Sequence, residues 1–235
     1  MTQQQFIDAI QQLGIQLTTV QMEQFQKYME LLIEWNEKMN LTAITEESQI
    51  WEKHFYDSIL PFSHLTFKTM CDVGSGAGFP GIPVKIVFPQ VRMTLVEPLQ
   101  KRCRFLNEVK EQLGLENMEV VNARAEDFAK DHREQYDIVS ARAVAKLSIL
   151  LELCVPLVKK NGKMVALKGK NGMEELEQAQ KAISVLGVVL ESEETCIIED
   201  DATRINLYLK KVKNTPPKYP RAYGQIKKKP LEGNV

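Results

Sequence analysis

The most constraining feature of the chain is a glycine-rich segment between two apolar runs, residues 71–81, which reads CDVGSGAGFPG. One apolar run ends at Asp72, three glycines follow at alternate positions, and a second apolar run begins at Gly81. Glycine permits positive φ and lets a ligand approach the backbone without a Cβ in the way. The exposed amides of a helix start attract anionic or polar groups. The pattern therefore predicts a strand, a tight turn and a helix that hold a nucleotide-like cofactor, in preference to a glycine turn without a ligand.

The same segment fits two classes of cofactor. Residues 76–81 match the dinucleotide fingerprint G-x-G-x-x-G, and Glu97 follows about twenty residues later, as that fingerprint requires. Asp72 argues against a dinucleotide, because its carboxylate would repel a pyrophosphate and attract an amino-acid ammonium. S-adenosylmethionine carries such an ammonium and no phosphate. Glu97 can accept hydrogen bonds from ribose hydroxyls of either cofactor, so it does not discriminate between them.

Apolar strand-like runs alternate with helical runs along most of the chain. Strands are predicted near 69–73, 92–97, 118–122, 136–141, 163–168, 187–198 and 204–212. Helices are predicted near 81–88, 99–113, 146–159 and 173–186. This alternation indicates an α/β fold with a mostly parallel seven-stranded sheet and helices on both faces. The last two strands leave no room for a helix between them, so we expect them to form an antiparallel edge hairpin.

Three segments are predicted. Residues 1–62 carry helical periodicity and form an N-terminal helical cap, residues 63–213 form the cofactor domain, and residues 214–235 form a basic, Pro-rich C-terminal tail. The chain has 235 residues with a net charge of −1, yet residues 210–230 hold eight Lys or Arg, no Asp or Glu and four Pro. We expect this tail to be extended and poorly ordered, and either to contact phosphates or only to aid solubility.

The sequence also excludes several classes of protein. The four cysteines lie far apart in mostly apolar contexts, with no C-x-x-C pair and no His at ligand spacing, so neither a metal site nor a disulfide framework is predicted. The first residues lack the charged and apolar regions of a signal peptide, and no apolar run approaches the ~18 residues of a membrane span. We expect a cytoplasmic enzyme with no membrane partner.

Ligands of an open α/β sheet bind beyond the carboxyl ends of its strands. The predicted strands end in small or polar residues at 74–78, 97, 123–127, 140–143 and 167–169. Glu126 has two interpretations, a ligand contact or an acid that stabilises a helix start. Arg142 directly follows an apolar strand among small residues, so a ligand contact is favoured over simple solvation. His54 and Asp57 lie about one helical turn apart on one face; they could meet a target base or tether the cap to the sheet, and the tether is favoured.

Six motifs extend this pattern over nearly the whole chain. They are NLTAI at 40–44, HFYDS at 54–58, DVGSGAGFPG at 72–81, RAE at 124–126, ARAVA at 141–145 and LKG at 167–169. Together they resemble the motifs of RsmG, also called GidB, a family of bacterial small-subunit rRNA methyltransferases. The resemblance implies a class I, Rossmann-like methyltransferase that transfers a methyl group from S-adenosylmethionine to guanine N7 at position 527 of 16S rRNA.

The resemblance also implies cofactor contacts at Gly74, Phe79, the Ala125–Glu126 pair and Arg142. With the residues argued above, the candidate cofactor-binding set is Asp72, Gly74, Gly76, Gly78, Phe79, Glu97, Ala125, Glu126 and Arg142. Guanine N7 offers a lone pair and no proton, so methyl transfer to it needs positioning rather than a general base. No catalytic acid or base is therefore assigned. The positioning candidates are Arg142, His54, Asp57 and Lys168.

The implied partner is 16S rRNA within an immature small ribosomal subunit. An A-form helix hides guanine N7 in a deep, narrow groove, so we expect the target to come from a loop or from opened RNA. The basic tail, Arg142, Lys168 and Lys170 are candidates for guiding phosphates. Two other classes remain open: a nicotinamide-dependent oxidoreductase, and a non-catalytic rRNA-binding assembly factor.

Overall fold

The chain forms a seven-stranded sheet flanked by helices, and the computed structural model describes residues 1–142, 145–198 and 202–233. The strands are β1 (Thr69–Val73), β2 (Arg92–Val96), β3 (Met118–Val121), β4 (Tyr136–Arg142), β5 (Val158–Lys168), β6 (Val188–Ile198) and β7 (Ala202–Lys211). They lie in the order β3-β2-β1-β4-β5-β7-β6. The predicted mostly parallel α/β sheet is confirmed.

The strands β1 to β5 are parallel, and only the pairs β5–β7 and β6–β7 are antiparallel. The hairpin predicted from the short connection is therefore confirmed, with β6 at the edge of the sheet. The strand order reverses at β1, which pairs with β2 on one side and β4 on the other. Open α/β sheets bind ligands at such a reversal, so the glycine turn after β1 lies at the expected place.

Successive strand residues point to opposite faces of the sheet, and each face carries its own hydrophobic core. In β1, Met70 belongs to one core and Cys71 to the other, and Val165 and Ala166 of β5 divide in the same way. The core around Met70 includes the N-terminal helices, and we call this side the cap face. The core around Cys71 includes the C-terminal segment, and we call this side the tail face.

The N-terminal helices α1 (Gln3–Gln12) and α2 (Thr19–Met39) each begin with a capping box, at Thr2 and Thr18. In each box the threonine hydroxyl accepts from a backbone amide one turn later, and the glutamine there accepts from the threonine amide. The cap continues through α3 (Glu47–Gln49), a π-helical turn (Ile50–Tyr56), α4 (Asp57–Ile59) and a 3-10 turn (Leu60–Phe62). Five buried aromatic side chains join these elements on the cap face: Phe6, Phe25, Tyr28, Trp51 and Phe55.

The remaining helices differ in part from the prediction. They are α5 (Gly81–Val87), α6 (Gln100–Gln112), α7 (Ala125–Asp131), α8 (Leu147–Cys154), α9 (Gly172–Gln178), α10 (Gln180–Leu186) and α11 (Tyr223–Lys228). The helices α7 and α11 were not predicted, because each is too short for a clear apolar periodicity. The helix predicted at 146–159 ends at Cys154, since Pro156 has no amide to continue it. The helix predicted at 173–186 is interrupted at Ala179.

The C-terminal segment, residues 214–233, packs on the tail face, so the expectation of an extended, poorly ordered tail is wrong. Tyr219, Ile226 and Leu231 are buried in the core of that face. Arg221 donates through Nε and Nη2 to the two carboxylate oxygens of the buried Glu152, at 2.7 and 2.6 Å. Basic and proline-rich composition suggested disorder, but three apolar anchors and one buried ion pair order the segment. Residues 234–235 lie outside the described part.

Two kinds of structural feature do not occur within the described residues. No helix among them is both long and apolar enough to span a membrane. Residues 1–142, 145–198 and 202–233 also contain no group of three or more His, Cys, Asp or Glu side chains arranged to hold a metal ion.

Candidate active site

Backbone angles that favour glycine shape the turn after β1. Gly74, Gly76 and Gly78 have φ of 71°, 60° and 103°, which side chains rarely tolerate. A Cβ on Gly78 would lie 2.5 Å from Ile82 Cδ1 and 2.7 Å from the Tyr28 hydroxyl. A Cβ on Gly76 would meet only Gly74 O, at 3.9 Å. Gly78 therefore permits close packing against the cap, whereas Gly76 leaves the other surface of the turn open.

The N-terminal cap is bonded directly to this turn through Tyr28. Its hydroxyl donates to Ala77 O at 2.6 Å, and its ring stacks on Phe55 and packs against Phe79. Burial raises the pKa of the Tyr28 hydroxyl, so it remains a protonated donor at neutral pH. The cap thus fixes the conformation of the glycine turn.

Asp72 lies beneath the turn and is fully buried. Its Oδ1 accepts from Ser140 Oγ at 3.0 Å and its Oδ2 accepts from Gly81 N at 3.2 Å. Desolvation by burial raises the pKa of Asp72 to about 6, against the opposing effect of these hydrogen bonds and of Arg142. The carboxyl group therefore joins the ends of β1 and β4 to the start of α5.

Glu97 follows β2 and reaches the opposite side of the turn. Its Oε2 accepts from Gly76 N at 2.9 Å, and its Oε1 accepts from Leu99 N at 2.9 Å. Arg102 Nη1 lies 4.0 Å from Oε2. A carboxylate has roughly four acceptor sites, so Glu97 keeps capacity for ligand hydroxyls.

A cavity of about 510 Å³ lies over the turn, and we call it the turn cavity. Its lining is Leu41, Thr42, His54, Gly74, Ser75, Gly76, Ala77, Phe79, Glu97, Pro98, Leu99, Arg102 and Arg142. The volume falls within the range of roughly 300 to 1,000 Å³ usual for small-molecule sites. The open glycine backbone and the acceptor capacity of Glu97 fit a nucleoside-containing cofactor.

Arg142, the last residue of β4, organises one wall of the turn cavity. Its Nη1 donates to Lys53 O at 3.1 Å and to Asp57 Oδ2 at 3.4 Å, and its Nη2 lies 3.3 Å from His54 Nδ1. Its guanidinium carbon lies 4.9 Å from the ring centre of Phe79. The His54 ring stacks on the same phenyl ring at 4.2 Å. These contacts tether the cap to the sheet, as favoured for His54 and Asp57.

His54 is hydrogen-bonded on both sides of its ring and is buried. Its Nδ1 lies beside Arg142, and on the other side of the ring Nε2 is hydrogen-bonded to Thr42 Oγ1 at 2.8 Å. Burial and the neighbouring Arg142 lower the pKa of His54 to about 3, and a hydrogen bond with the backbone of Lys53 acts in the opposite direction on its pKa. His54 is therefore neutral across the physiological range.

A second cavity of about 470 Å³ adjoins the first, and we call it the basic cavity. Its lining is Ile44, Lys53, His54, Asp57, Arg142, Leu167, Lys168, Gly169, Lys170, Asn171, Glu175 and Arg204. Five of these side chains are Lys or Arg and two are carboxylates, so the cavity is cationic. His54 and Arg142 line both cavities, and we call this pair the shared wall.

Besides the pair of Arg142 with Asp57, two further ion pairs brace the basic cavity. Lys168 Nζ donates to Ala145 O at 2.9 Å and lies 2.7 Å from Glu175 Oε2, which also accepts from Leu147 N at 2.7 Å. This bonding holds the segment that follows β4. Arg204 Nε lies 3.1 Å from Asp57 Oδ2, which connects the edge hairpin to the cap.

The structure brings most of the candidate residues to one end of the sheet. Gly74, Gly76, Phe79, Glu97 and Arg142 line the turn cavity, and His54, Asp57, Lys168, Lys170 and Arg142 line the basic cavity. Asp72, Gly78, Ala125 and Glu126 are not among the lining residues of either cavity. Glu126 lies in the first turn of α7, in agreement with its helix-start interpretation. Ala143 and Val144 of the ARAVA motif lie outside the described residues.

Sequence reasoning missed several contributors. Leu41 and Thr42 line the turn cavity, and their only signal was their place in the NLTAI motif. Tyr28 lies in the predicted helical cap, and helical periodicity gives no sign that its hydroxyl bonds the turn. Arg204 lay inside a predicted strand, and no local pattern indicates its pairing with Asp57.

Comparison with solved structures identifies the same fold in other methyltransferases. The M. jannaschii TYW2 structure in complex with AdoMet superposes with a TM-score of 0.55 and 15% identity, over 67% of this chain and 75% of that one. The precorrin-6y C5,15-methyltransferase of Geobacter metallireducens GS-15 gives a TM-score of 0.52 and 14% identity, over 73% and 91%. At this identity the likeness establishes the fold alone, and it confirms the class I methyltransferase architecture.

Comparison of sequences is more specific. The chain is 51% identical to ribosomal RNA small subunit methyltransferase G of Lysinibacillus sphaericus (strain C3-41), over 99% of this chain and 100% of the relative. It is 50% identical to the protein of the same name from Staphylococcus aureus (strain Newman), over 98% and 99%. The model of the GidB family, rRNA small subunit methyltransferase G, matches residues 21–204. The chain has a glycine turn, an acidic side chain after β2 and a cationic cavity beside the turn. Its sequence shows that it belongs to the rRNA small subunit methyltransferase G family.

Proposed function

We propose that the protein transfers a methyl group from S-adenosylmethionine to N7 of the guanine at position 527 of 16S rRNA. Two adjoining cavities that share the His54–Arg142 wall carry the proposal, because a methyl donor and its acceptor must lie within reach of each other. The family relationship supports the rRNA substrate. The earlier alternatives, an oxidoreductase and a non-catalytic assembly factor, gain no support from these cavities.

The turn cavity is the proposed cofactor site. Gly74 and Gly76 expose backbone to the ligand, Phe79 and Arg142 form its wall, and Glu97 accepts from ribose hydroxyls. S-adenosylmethionine supplies the electrophilic methyl group when bound. The protein's residues bind and orient it.

Four further candidates are proposed to act on the cofactor site from outside the cavity. Asp72 fixes the turn that the cofactor ammonium approaches, and Gly78 lets the cap pack against that turn. Ala125 and Glu126 begin α7, which follows β3 on the same edge of the sheet as Glu97.

The state of His54 supports a reaction without a general base. Burial and the neighbouring Arg142 guanidinium lower its pKa to about 3. His54 therefore neither stores nor releases a proton near neutral pH. Guanine N7 has no proton to remove, so the site needs only to orient the cofactor methyl group and the guanine toward each other.

The basic cavity is the proposed nucleotide site. Lys170 and Arg204 on its lining supply positive charge for phosphates, while Lys168 is held by Glu175 and keeps the segment after β4 in place. Because a cavity of about 470 Å³ is too small for a duplex and an A-form helix hides guanine N7, we propose a looped or opened rRNA in an immature small subunit as substrate. The exposed Lys227, Lys228 and Lys229 near α11 are proposed to add phosphate contacts away from this cavity.

Methylation of defined rRNA tests the proposal. Purified protein, S-adenosylmethionine and small-subunit particles lacking the modification should yield one 7-methylguanosine at position 527, detected by chemical cleavage at that base. A substrate with 7-deazaguanosine at this position should bind and stay unmodified. Methylation of the deaza substrate, or modification at another base, would contradict the proposal.

A calorimetric titration separates the alternatives. S-adenosylmethionine should bind and NADH should not. Binding of NADH alone would favour the oxidoreductase, and binding of neither ligand would favour the assembly factor.

A further inference from the structure

Glu175 of α9 bonds two elements that lie beside the basic cavity. Its Oε2 accepts at 2.7 Å from the amide of Leu147, the first residue of α8, and the same oxygen lies 2.7 Å from Lys168 Nζ at the end of β5. Lys168 Nζ also donates to Ala145 O at 2.9 Å. The connection between β4 and α8 is therefore held at two points, the carbonyl of Ala145 and the amide of Leu147.

The bond from Leu147 N to Glu175 caps α8 from another helix. The first amides of a helix have no partner within it, and an acceptor on the N-cap residue usually meets one of them. The N-cap residue of α8 is Lys146, whose side chain can donate but cannot accept. The Glu175 carboxylate supplies the acceptor instead, and its negative charge suits the positive end of the α8 dipole.

The packing of α9 brings Glu175 to this position. The amide of Gly172, the first residue of α9, donates to Gly169 O at 2.9 Å in a tight turn after β5. A Cβ on Gly172 would lie 3.0 Å from Lys168 Cβ and 3.0 Å from Ile205 Cβ. Glycine at this position thus lets the start of α9 lie against β5 and β7, within reach of the Lys168 ammonium.

The held connection begins at the shared wall. Arg142, the last residue of β4, pairs in register with Leu167 of β5, the residue before Lys168. Lys168 and Glu175 are lining residues of the basic cavity and, within the described part of the chain, are not lining residues of the turn cavity. The Lys168 side chain is largely buried, so loss of its partner would leave a buried charge and disturb this wall of the basic cavity.

We propose that Glu175 is a positioning residue for the RNA substrate, which holds the connection after β4 in the shape that accepts the target nucleotide. It acts through Lys168 and the start of α8, and not by contact with the reacting atoms. The inference rests on the proposed function, because it takes the basic cavity to be the nucleotide site.

Methylation kinetics and calorimetric titration of Glu175→Ala test the proposal. kcat/KM for small-subunit particles that lack the modification should fall about tenfold to a hundredfold, because small displacements of aligned groups cost large factors in rate. Affinity for S-adenosylmethionine should change less than about twofold. A wild-type kcat/KM overturns the proposal, and so does an equal loss of cofactor affinity, which would indicate general distortion of the fold.

Two further variants replace a carboxylate of α9 by an amide. Glu175→Gln keeps an oxygen that can accept from Leu147 N and removes the charge opposite Lys168, so kcat/KM should fall about threefold to tenfold. This variant carries the test if Glu175→Ala does not fold, and a wild-type value in it overturns the role of the ion pair. Glu177→Gln makes the same change at an exposed position of α9 and should match wild type.

A double-mutant cycle tests the route through the ammonium. Lys168→Met is measured alone and together with Glu175→Ala. If Glu175 acts through Lys168, the combined loss in kcat/KM should be smaller than the product of the two single losses. A combined loss equal to that product would mean that the two residues act independently, which overturns the proposed route.

Failure of the proposed function gives a different result. Wild-type protein that binds S-adenosylmethionine but does not methylate the particles refutes the proposed function itself. Active wild-type protein with an equally active Glu175→Ala variant refutes this inference alone.

Discussion

The two ends of the chain both pack on the central sheet, but only one of them builds the site. The N-terminal cap bonds the glycine turn through Tyr28, lines both cavities through His54 and meets Arg142 through Asp57. The C-terminal segment packs on the tail face and pairs Arg221 with Glu152, and none of residues 214–233 lines either cavity. The difference shows that a terminal segment contributes to the candidate site only where its atoms contact the residues of that site. Its length and its charge do not decide this.

The largest expected contrast comes from the arginine that joins each end to the sheet. Arg142→Ala should lower single-turnover methyl transfer about a hundredfold or more, because it removes the shared wall and the partner of His54. Arg221→Ala should leave Glu152 buried without its ion pair and lower the free energy of unfolding by about 3 kcal/mol. Urea unfolding and quenched-flow assays measure the two effects.

Folded Arg221→Ala protein should keep its methyl-transfer rate at a temperature where it is native. Equal loss of rate in both folded variants would break the contrast between the two ends.

Paired glycine substitutions sharpen the contrast. Gly78→Ala places a Cβ at positive φ and within 2.7 Å of the Tyr28 hydroxyl, so stability should fall by about 2–3 kcal/mol. Gly224 lies in α11, where an added Cβ meets nothing within 4 Å. Gly224→Ala should therefore raise stability by roughly 0.5–1 kcal/mol. Thermal and urea unfolding check both values; a stable Gly78→Ala protein would show that the cap does not press on the turn.

The buried acid on the cap face gives a dependence on pH. Burial raises the pKa of Asp72 from 3.8 to about 6, so its stabilising contribution is complete below its unfolded pKa and is lost as pH rises through about 6. Relative to wild type, Asp72→Asn should gain about 1–2 kcal/mol of stability between about pH 5 and pH 8. Asp131→Asn, at an exposed carboxylate of α7, is the matched control. A constant difference between Asp72→Asn and wild type over this range would contradict the expectation.

The smallest effect is expected from single hydroxyl groups. Tyr28→Phe removes the donor to Ala77 O and should weaken S-adenosylmethionine binding by about 1 kcal/mol, or roughly fivefold. Tyr219→Phe, in the C-terminal segment, should leave that affinity unchanged. Calorimetric titration compares them, and equal affinities for both variants would remove Tyr28 from the support of the turn.

Local sequence patterns predicted the strands and the glycine turn. Alternating apolar runs located all seven strands, and the glycine spacing located the turn between Gly74 and Gly78. Composition failed for residues 214–233, because Tyr219 and Ile226 are buried only once the tail face exists to receive them.

The candidate site was predictable in part for the same reason. Residues at strand ends, such as Glu97 and Arg142, follow from strand boundaries. The pairing of Arg204 with Asp57 joins residues 147 positions apart, and it follows only from the sheet order that brings β7 beside β5.

The wall common to the two cavities has a thermodynamic consequence. His54 and Arg142 line both cavities. If a ligand in one cavity moves these two side chains, the binding of a ligand in the other cavity therefore changes as well. Linkage then requires reciprocity: the factor by which cofactor changes the affinity for RNA equals the factor by which RNA changes the affinity for cofactor. After methyl transfer the sulfonium loses its charge while the guanine gains one, so the charge on the two sides of Arg142 is exchanged. The two side chains proposed to align the substrates therefore also affect how strongly the two products attract or repel each other.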